Sequence, residues 1–169
     1  MTAADRNIVI TGFMGTGKST VGRLVAKITN RTFIDTDEII VHRVGISIPE
    51  IFARDGEQCF RQMERDLCRY LAAQIELVIS TGGGTLVDDA NRALMVTSAF
   101  VFCLNATPQA ILKRVGHNQD RPLLKGDWHA LMEKRRAAYG QIPYQVDTTD
   151  KKPEQVAEEI LKLWQNASK

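Results

Sequence analysis

The chain has 169 residues, with 22 lysines and arginines against 20 aspartates and glutamates, for a formal net charge of +2. That charge is too small to indicate nucleic acid or an anionic membrane as a partner, and we expect neither. Hydrophobic residues make up 44% of the chain and charged residues 25%, which is typical of a soluble globular protein. We expect a single domain over residues 1–169, with no membrane span and no signal peptide.

The three cysteines are Cys59, Cys68 and Cys103, and their spacing fits neither a CxxC pair nor a metal site. An odd number of widely separated thiols favours reduced side chains in a cytosolic protein. We therefore expect the protein to be cytoplasmic.

Apolar runs alternate with helical periodicities along the chain, which predicts an α/β fold built from βα units around a parallel sheet. Strands are predicted at Asn7–Thr11, Thr32–Asp35, Leu77–Ser80, Phe100–Leu104 and Tyr144–Asp147. Helices are predicted at Lys18–Thr29, Asp37–Arg43, Asp89–Val96, Pro108–Val115 and Asp127–Ala138, after the capping box Ser47-Ile48-Pro49-Glu50, after Asp55-Gly56 as far as Ala73, and from Pro153. In the helix after Gly56, the apolar residues Phe60, Met63, Leu67, Tyr70 and Leu71 follow the helical period.

A phosphate-binding pattern follows the first strand. Gly12-Phe13-Met14-Gly15-Thr16-Gly17-Lys18-Ser19 comes after Ile8-Val9-Ile10 and matches G-x-x-x-x-G-K-[ST]. Its glycines allow the backbone N–H groups and the start of the next helix to face a polyphosphate. Lys18 can reach the phosphates, and the Ser19 hydroxyl can ligate Mg²⁺. The sequence therefore predicts binding of a nucleoside triphosphate.

The carboxyl ends of the other predicted strands carry further polar or glycine-rich segments, where ligands bind in parallel sheets. Asp35 ends an apolar strand, which makes it the best candidate for the magnesium shell. Asp37 is either the N-cap of the next helix or a carboxylate that faces an acceptor hydroxyl. Gly82-Gly83-Gly84 indicates either close approach of backbone to a ligand or a flexible hinge.

Two arginine clusters and one loop each have a functional and an ordinary explanation. Arg61 has Glu64 three residues on and could form an ordinary solvated ion pair on the helix, and Arg135-Arg136 could be ordinary residues near a helix end. Alternatively, two arginines could together bind a carboxylate. Val115–Gly126 is a polar loop that could be a surface loop without a role or a lid that excludes water. Arg121 in that loop could stabilise charge on a transferred phosphoryl group.

In order and spacing, these segments resemble the shikimate kinase family. The resemblance covers nearly the whole chain and rests on the phosphate loop through Arg23, on Asp35-Thr36-Asp37, Asp55-Gly56-Glu57-Gln58-Cys59-Phe60-Arg61, Gly82-Gly83-Gly84 and Arg121-Pro122-Leu123-Leu124, and on Arg135 with Tyr139. It implies a P-loop kinase fold, with a five-stranded parallel sheet, helices on both faces and a mobile lid at about residues 115–126. It also implies an acceptor-binding helical region at about residues 36–74 and a monomer.

The resemblance further implies ATP-dependent transfer of a phosphoryl group to the 3-hydroxyl of shikimate, a step of chorismate and aromatic amino-acid synthesis. The catalytic residues it implies are Lys18, Asp37 and Arg121. ATP-binding residues would be Gly15, Thr16, Gly17, Lys18, Ser19, Thr20, Arg114, Arg121 and Pro153, and shikimate-binding residues Asp37, Arg61, Gly83, Arg135, Phe52 and Phe60. Mg²⁺ would be bound by Ser19 directly and by Asp35 through water.

Three questions remain open from the sequence. The doubled Arg135-Arg136 leaves a one-residue ambiguity, in which the four-residue spacing to Tyr139 favours Arg135. A kinase of another small molecule, such as gluconate, shares the same need for a phosphate loop and a carboxylate site. A non-catalytic nucleotide-binding module is the other rival, although the chain retains Lys18, Asp37 and Arg121.

Overall fold

The structure is a computed structural model that describes residues 5–115 and 126–168. Five parallel strands form one sheet: β1 (Asn7–Gly12), β2 (Thr32–Asp35), β3 (Leu77–Ser80), β4 (Ala99–Asn105) and β5 (Tyr144–Asp147). Their spatial order is β2-β3-β1-β4-β5, so β1 is the central strand, with Ile8 opposite Val78 on one side and Phe100 on the other. The five predicted strands are confirmed, and β1 and β4 extend beyond the predicted bounds by a single residue at one or both ends.

Within the described residues, eight helices lie between the strands or after the last one. They are α1 (Lys18–Thr29), α2 (Thr36–Val44), α3 (Ile48–Asp55), α4 (Glu57–Ala72), α5 (Asp89–Ser98), α6 (Pro108–Val115), α7 (Trp128–Gly140) and α8 (Pro153–Ala167). A short 3-10 turn at Thr85–Val87 was not predicted from the sequence. Across residues 5–115 and 126–168, no helix combines the length and the apolar character needed to cross a membrane.

The three inner strands, β1, β3 and β4, are largely buried on both faces, because helices cover each side of the sheet. Ile8 and Ile10 are fully buried in a cluster with Val25 of α1 and Ile160 of α8. Val9, between them in sequence, belongs to the opposite cluster, which includes residues of α4, α5 and α7. Since successive side chains of a strand point to opposite faces, this division confirms helices on both sides of the sheet.

The start of α2 resolves which aspartate caps it. The Oδ1 atom of Asp35 accepts hydrogen bonds from the backbone N–H groups of Asp37, at 3.0 Å, and Glu38, at 3.3 Å. Asp35 is therefore the N-cap, and Asp37 lies in the first turn with its carboxylate available for another purpose. The capping box predicted at Ser47 and Glu50 is present at the start of α3.

Two regions were predicted from the sequence to take part in substrate binding or in excluding water. Helices α2, α3 and α4 form the region at about residues 36–74 that was predicted to bind the acceptor. The predicted lid, at about residues 115–126, falls on residues 116–125, and these lie outside the described residues, as does Arg121.

Candidate active site

A pocket of about 1080 Å³ opens at the carboxyl end of the sheet, where the segments after β1, β2 and β3 meet. It brings together every predicted site residue that the structure describes. These are Gly15, Thr16, Gly17, Lys18, Ser19, Thr20, Asp35, Asp37, Phe52, Phe60, Arg61, Gly83, Arg114, Arg135 and Pro153. The location agrees with the general rule that parallel sheets bind ligands beyond the carboxyl ends of their strands.

The phosphate loop is held in shape by its own hydrogen bonds. Gly15 and Gly17 have φ angles of 75° and 95°, in the left-handed region that favours glycine. The buried Thr16 hydroxyl donates to the carbonyl of Phe13 at 2.7 Å, and the Lys18 ammonium donates to the same carbonyl at 2.9 Å. The loop therefore presents the N-terminus of α1 and a lysine to the pocket, as a polyphosphate site requires.

Ser19 and Asp35 lie together beside the loop. The Ser19 hydroxyl donates to Oδ2 of Asp35 at 2.8 Å, while Oδ1 of the same carboxylate caps α2. The Ser80 hydroxyl, at the end of β3, is 3.4 Å from that of Ser19. These are hard oxygen ligands next to the phosphate loop, and they fit Mg²⁺, which takes one or two carboxylates together with phosphate and water.

The surroundings of Asp37 in the pocket shift the pKa of its carboxyl group. Burial is the main cause that raises its pKa to about 6, the negative charges of Asp35 and Glu64 add to the shift, and Lys18 and Arg61 oppose it. Its Oδ1 is buried, and no hydrogen-bond partner for it is present within residues 5–115 and 126–168. An unsatisfied buried oxygen in a ligand pocket is available to accept a hydrogen bond from a bound donor.

Arg61 extends from α4 into the pocket between two glutamates. Its Nη1 donates to Glu64 at 2.6 Å, and its Nε and Nη2 donate to Glu57 at 3.2 and 2.9 Å. Glu57 is largely exposed, whereas the Glu64 side chain is only 2% exposed. The ion pair with Glu64, expected from the sequence to be solvated, is therefore a buried one, and the contact in solvent is with Glu57.

The two consecutive arginines of α7 have different surroundings. The guanidinium of Arg135 lies 5.7 Å from the ring centre of Phe13 in the phosphate loop, and its side chain lines the pocket. Arg136 is 73% exposed and forms an ion pair with Glu133 at 2.7 Å. Of the two, Arg135 is the one whose side chain faces the pocket.

The three glycines after β3 leave room for three charged side chains. A Cβ at Gly82 would lie 2.5 Å from Oδ1 of Asp37, one at Gly83 would lie 3.1 Å from Nη1 of Arg135, and one at Gly84 would lie 2.5 Å from Nη1 of Arg61. Close approach of backbone to the site thus accounts for all three positions. The Tyr139 hydroxyl also donates to the Gly83 carbonyl at 2.5 Å, which fixes the turn against α7.

Arg114 connects the phosphate loop with the segment after β5. Its Nη1 donates to the Gly15 carbonyl at 3.3 Å and to the Thr148 hydroxyl at 2.9 Å, and its Nη2 donates to the carbonyls of Thr148 and Thr149. Pro153, at the start of α8, lines the same part of the pocket. Arg114 and Pro153 therefore line one part of the pocket, next to the phosphate loop, and Asp37 lines another.

Phe52 and Phe60 form an apolar wall at the opposite end. Their rings meet edge to face, with centroids 5.0 Å apart and an interplanar angle of 81°. Phe60 is buried, and Phe52 is 38% exposed at the mouth of the pocket. The wall offers an apolar surface to a small ring beside the charged groups.

Sequence reasoning gave Glu64 only the role of a solvated helical partner of Arg61, and it gave Thr85 no role. The Thr85 hydroxyl donates to Oε1 of Glu64 at 2.6 Å, and both residues are buried. A signal for Glu64 was present, because it lies four residues after Phe60 and three before Leu67 on the buried face of α4. A charged residue in an apolar helical stripe indicates a buried ion pair, here with Arg61. The second partner of Glu64, the Thr85 hydroxyl in the turn after β3, could not be found from spacing alone.

The fold and the pocket together indicate one class of protein. The parallel sheet, the phosphate loop and the carboxylate opposite it define a P-loop kinase of a small molecule. The family model described as shikimate kinase matches residues 14–165. A shikimate kinase from Geobacter sulfurreducens is 44% identical over 160 residues, which cover 92% of this chain and 88% of the relative. The chain belongs to the shikimate kinase family.

Solved structures support the same family. A shikimate kinase from Acinetobacter baumannii in complex with shikimate matches with a TM-score of 0.87 at 32% identity, over 98% of this chain and 96% of that one. A gluconokinase from Sinorhizobium meliloti matches with a TM-score of 0.64 at 17% identity, over 98% and 94% of the two chains. At that identity the second likeness shows the fold alone.

The Gly84→Ala variant tests whether the third glycine makes room for Arg61. The backbone at Gly84 is in the right-handed helical region, with φ of −92°, so alanine adds no backbone strain there. The new Cβ should displace the guanidinium and raise the KM for the phosphoryl acceptor about tenfold, or ~1.4 kcal/mol, without changing the KM for ATP. Steady-state kinetics with each substrate varied would measure the two constants.

Gly140→Ala is the matched control, because a Cβ at that position meets no atom within 4 Å. It should leave both constants unchanged. If Gly84→Ala proves equally silent, Arg61 has no need of the space at that glycine.

Proposed function

We propose that the chain transfers the γ-phosphoryl group of ATP to the 3-hydroxyl of shikimate, giving shikimate 3-phosphate and ADP for chorismate and aromatic amino-acid synthesis. The observation that carries this proposal is one pocket with a phosphate loop on one side and two arginines and a buried carboxylate on the other. Membership of the shikimate kinase family supports the choice of acceptor.

On the donor side, the phosphates of ATP bind the backbone of the loop at Gly15, Thr16, Gly17, Ser19 and Thr20. Lys18 exchanges the Phe13 carbonyl for phosphate oxygens, and its charge stabilises the transferred group. Arg114 and Pro153 flank the adenine. Arg121, which lies outside the described residues, is proposed from the family resemblance to stabilise the transferred group.

Mg²⁺ would be held by the Ser19 hydroxyl directly and by Asp35 through water, and it would offset the negative charge of the phosphates. The hydroxyl and the carboxylate lie 2.8 Å apart, so the loop needs no rearrangement of β2 to present them. Asp35 remains tied to α2 through its other oxygen, which keeps its orientation fixed.

On the acceptor side, Arg61 and Arg135 bind the carboxylate of shikimate. Each can offer a planar pair of donors, and each lies against one glycine of the turn after β3. The backbone of Gly83 adds a contact between them. The ring of shikimate packs against Phe52 and Phe60, and its hydroxyls face Asp37.

Asp37 accepts the proton when the 3-hydroxyl oxygen attacks the γ-phosphorus. The new P–O bond forms as the bond to the bridging oxygen breaks, and that electron pair leaves with ADP. Burial raises the pKa of Asp37 to about 6, so the carboxylate is mostly ionised at neutral pH and is more basic than an exposed aspartate. Both properties suit a general base.

We also propose that the chain acts as a monomer in the cytoplasm. Among the described residues, one chain supplies every residue assigned above to the two sides of the pocket. Burial raises the pKa values of Cys68 and Cys103 to about 12, so these thiols stay protonated and inert. Reduced, unreactive cysteines suit a reducing compartment.

A panel of acceptors tests the proposed function. ADP release should be measured with shikimate, quinate, gluconate and nucleoside monophosphates at saturating ATP. Shikimate should give a kcat/KM at least about 100-fold above gluconate, because gluconate offers a carboxylate but no ring to the Phe52–Phe60 wall. More efficient turnover of gluconate or a nucleotide would refute the proposal, and ATP binding without any turnover would favour a non-catalytic module.

Charge-conserving variants test the arginine pair. Arg61→Lys and Arg135→Lys keep the positive charge and lose the planar pair of donors, so each should weaken shikimate binding by roughly 1.5–3 kcal/mol. The KM for ATP should stay unchanged in both. Arg136→Lys is the matched control on the same helix and should be silent, because Arg136 faces Glu133 and solvent. The opposite pattern, with Arg136→Lys damaging and Arg135→Lys silent, would move the assignment by one residue.

Substitution of the two aspartates separates metal binding from proton transfer. Asp35→Asn should raise the Mg²⁺ concentration needed for half-maximal rate, with partial rescue at high metal, because one carboxylate of a metal shell is lost. Asp37→Asn should lower kcat by roughly 100-fold or more without rescue by Mg²⁺, because the base is lost. Titration of kcat with Mg²⁺ at saturating ATP measures both. Parallel shifts of the two curves would show that the aspartates share one metal shell.

A further inference from the structure

Glu64 has a place on α4 that ordinarily belongs to an apolar residue. Its side chain is 2% exposed, and neighbouring positions of the same helix face, Phe60 and Leu67, are buried as well. A buried carboxylate is destabilising unless both of its oxygens have partners. Here Oε2 accepts from Nη1 of Arg61 and Oε1 accepts from the Thr85 hydroxyl, each at 2.6 Å. Each oxygen of Glu64 therefore has one short hydrogen bond.

Thr85 is the fixed end of this chain of contacts. It is 1% exposed, and its backbone N–H donates to the Gly82 carbonyl at 3.1 Å. Its own carbonyl accepts a hydrogen bond from the Asn91 side chain of α5 at 3.0 Å. Glu64 reaches the pocket wall, whereas Thr85 lies behind it. The threonine hydroxyl is thus held by both the glycine turn and α5, without contact with the pocket itself.

The hydrogen-bond inventory of Arg61 shows what Glu64 controls. A guanidinium has five N–H groups, of which Glu64 accepts one and the exposed Glu57 accepts two. Contacts with Glu57 in solvent contribute little and can exchange with water. The buried contact with Glu64 holds Nη1, and the second N–H of Nη1 takes no part in the contacts with the two glutamates.

We propose that Thr85 is a positioning residue of the acceptor site, whose hydroxyl holds Glu64 in the orientation that aligns Arg61 with the acceptor carboxylate. This inference rests on the proposed function, since it assigns the acceptor carboxylate to Arg61. Without the hydroxyl, Oε1 of Glu64 loses its partner, and the carboxylate rotates to find another donor. Arg61 follows Glu64, because the two share a short ionic hydrogen bond.

Thr85→Val tests the proposal, because valine keeps the shape of threonine and removes the hydroxyl. We expect the KM for shikimate to rise about five- to twentyfold, with the KM for ATP unchanged. Thr85→Ser restores the hydroxyl and should return the KM for shikimate to within about twofold of the wild-type value. Thr85→Ala gives the same expected loss as Thr85→Val and serves as the second variant if valine prevents folding.

Thr11→Val is the matched control. Thr11 is a fully buried threonine of β1 whose hydroxyl pairs with that of Thr81 at 2.9 Å, with no contact to Glu64. It should lower thermal stability and leave the KM for shikimate unchanged. If Thr85→Val behaves in the same way, with lower stability and an unchanged KM, Thr85 is only structural and the inference is overturned.

A double-variant cycle tests the route. In an Arg61→Ala background, Thr85→Val should change the KM for shikimate by less than about twofold, because the residue through which it acts is gone. An undiminished effect in that background would overturn the inference, since Thr85 would then act by another path. Wild-type protein without shikimate turnover would overturn the proposed function and this inference together, whereas active wild type with a silent Thr85→Val overturns the inference alone.

Discussion

The acceptor side of the pocket depends on a stretch of backbone, residues 82–84, that passes among charged side chains without a side chain of its own. β3 lies between β2 and β1, so the turn that follows it lies between Asp37 and the phosphate loop. Any Cβ in this turn would meet Asp37, Arg135 or Arg61. The order of strands therefore brings Asp37, Arg61 and Arg135, the proposed proton acceptor and the proposed carboxylate-binding groups, to one edge of the sheet. The missing side chains let them converge there.

Opposite charges in the pocket hold one another in a limited set of positions. Burial raises the pKa of Asp37 most, the negative charges of Asp35 and Glu64 raise it further, and Lys18 and Arg61 lower it. Glu64 therefore contributes to the basicity of Asp37 and also fixes the guanidinium of Arg61. A single buried carboxylate thus acts on Asp37 and on Arg61, the residues we propose for proton transfer and for binding of the acceptor, which is why we propose a role for its own anchoring through a hydroxyl.

The sequence predicted the strands and the phosphate loop because both depend on local patterns, namely apolar runs and a fixed spacing of glycines, lysine and serine. It left the role of Asp37 open between a helix cap and a carboxylate that faces the acceptor, and it missed that Asp35 caps α2, because the cap depends on the residue at which β2 leaves the sheet. The prediction that Tyr70 lies on the apolar face of α4 was wrong: Tyr70 fits the helical period but is 57% exposed, beside Arg43. Glu64, which the apolar period does not include, is buried. Burial of Glu64 is decided by Arg61 and by a threonine 21 residues away, and no periodicity contains that information.

The two arginines of the acceptor side are supported by different means. Arg61 is held by ionic contacts on α4, whereas Arg135 on α7 lies over the ring of Phe13, a buried residue of the phosphate loop. The carbonyl of the same Phe13 accepts hydrogen bonds from Thr16 and Lys18. Phe13 therefore shapes the phosphate loop with its backbone carbonyl and supports Arg135 with its ring. Because Phe13 is packed in the core, the separation between the phosphate loop and Arg135 is set by rigid packing and not by the length of a flexible side chain.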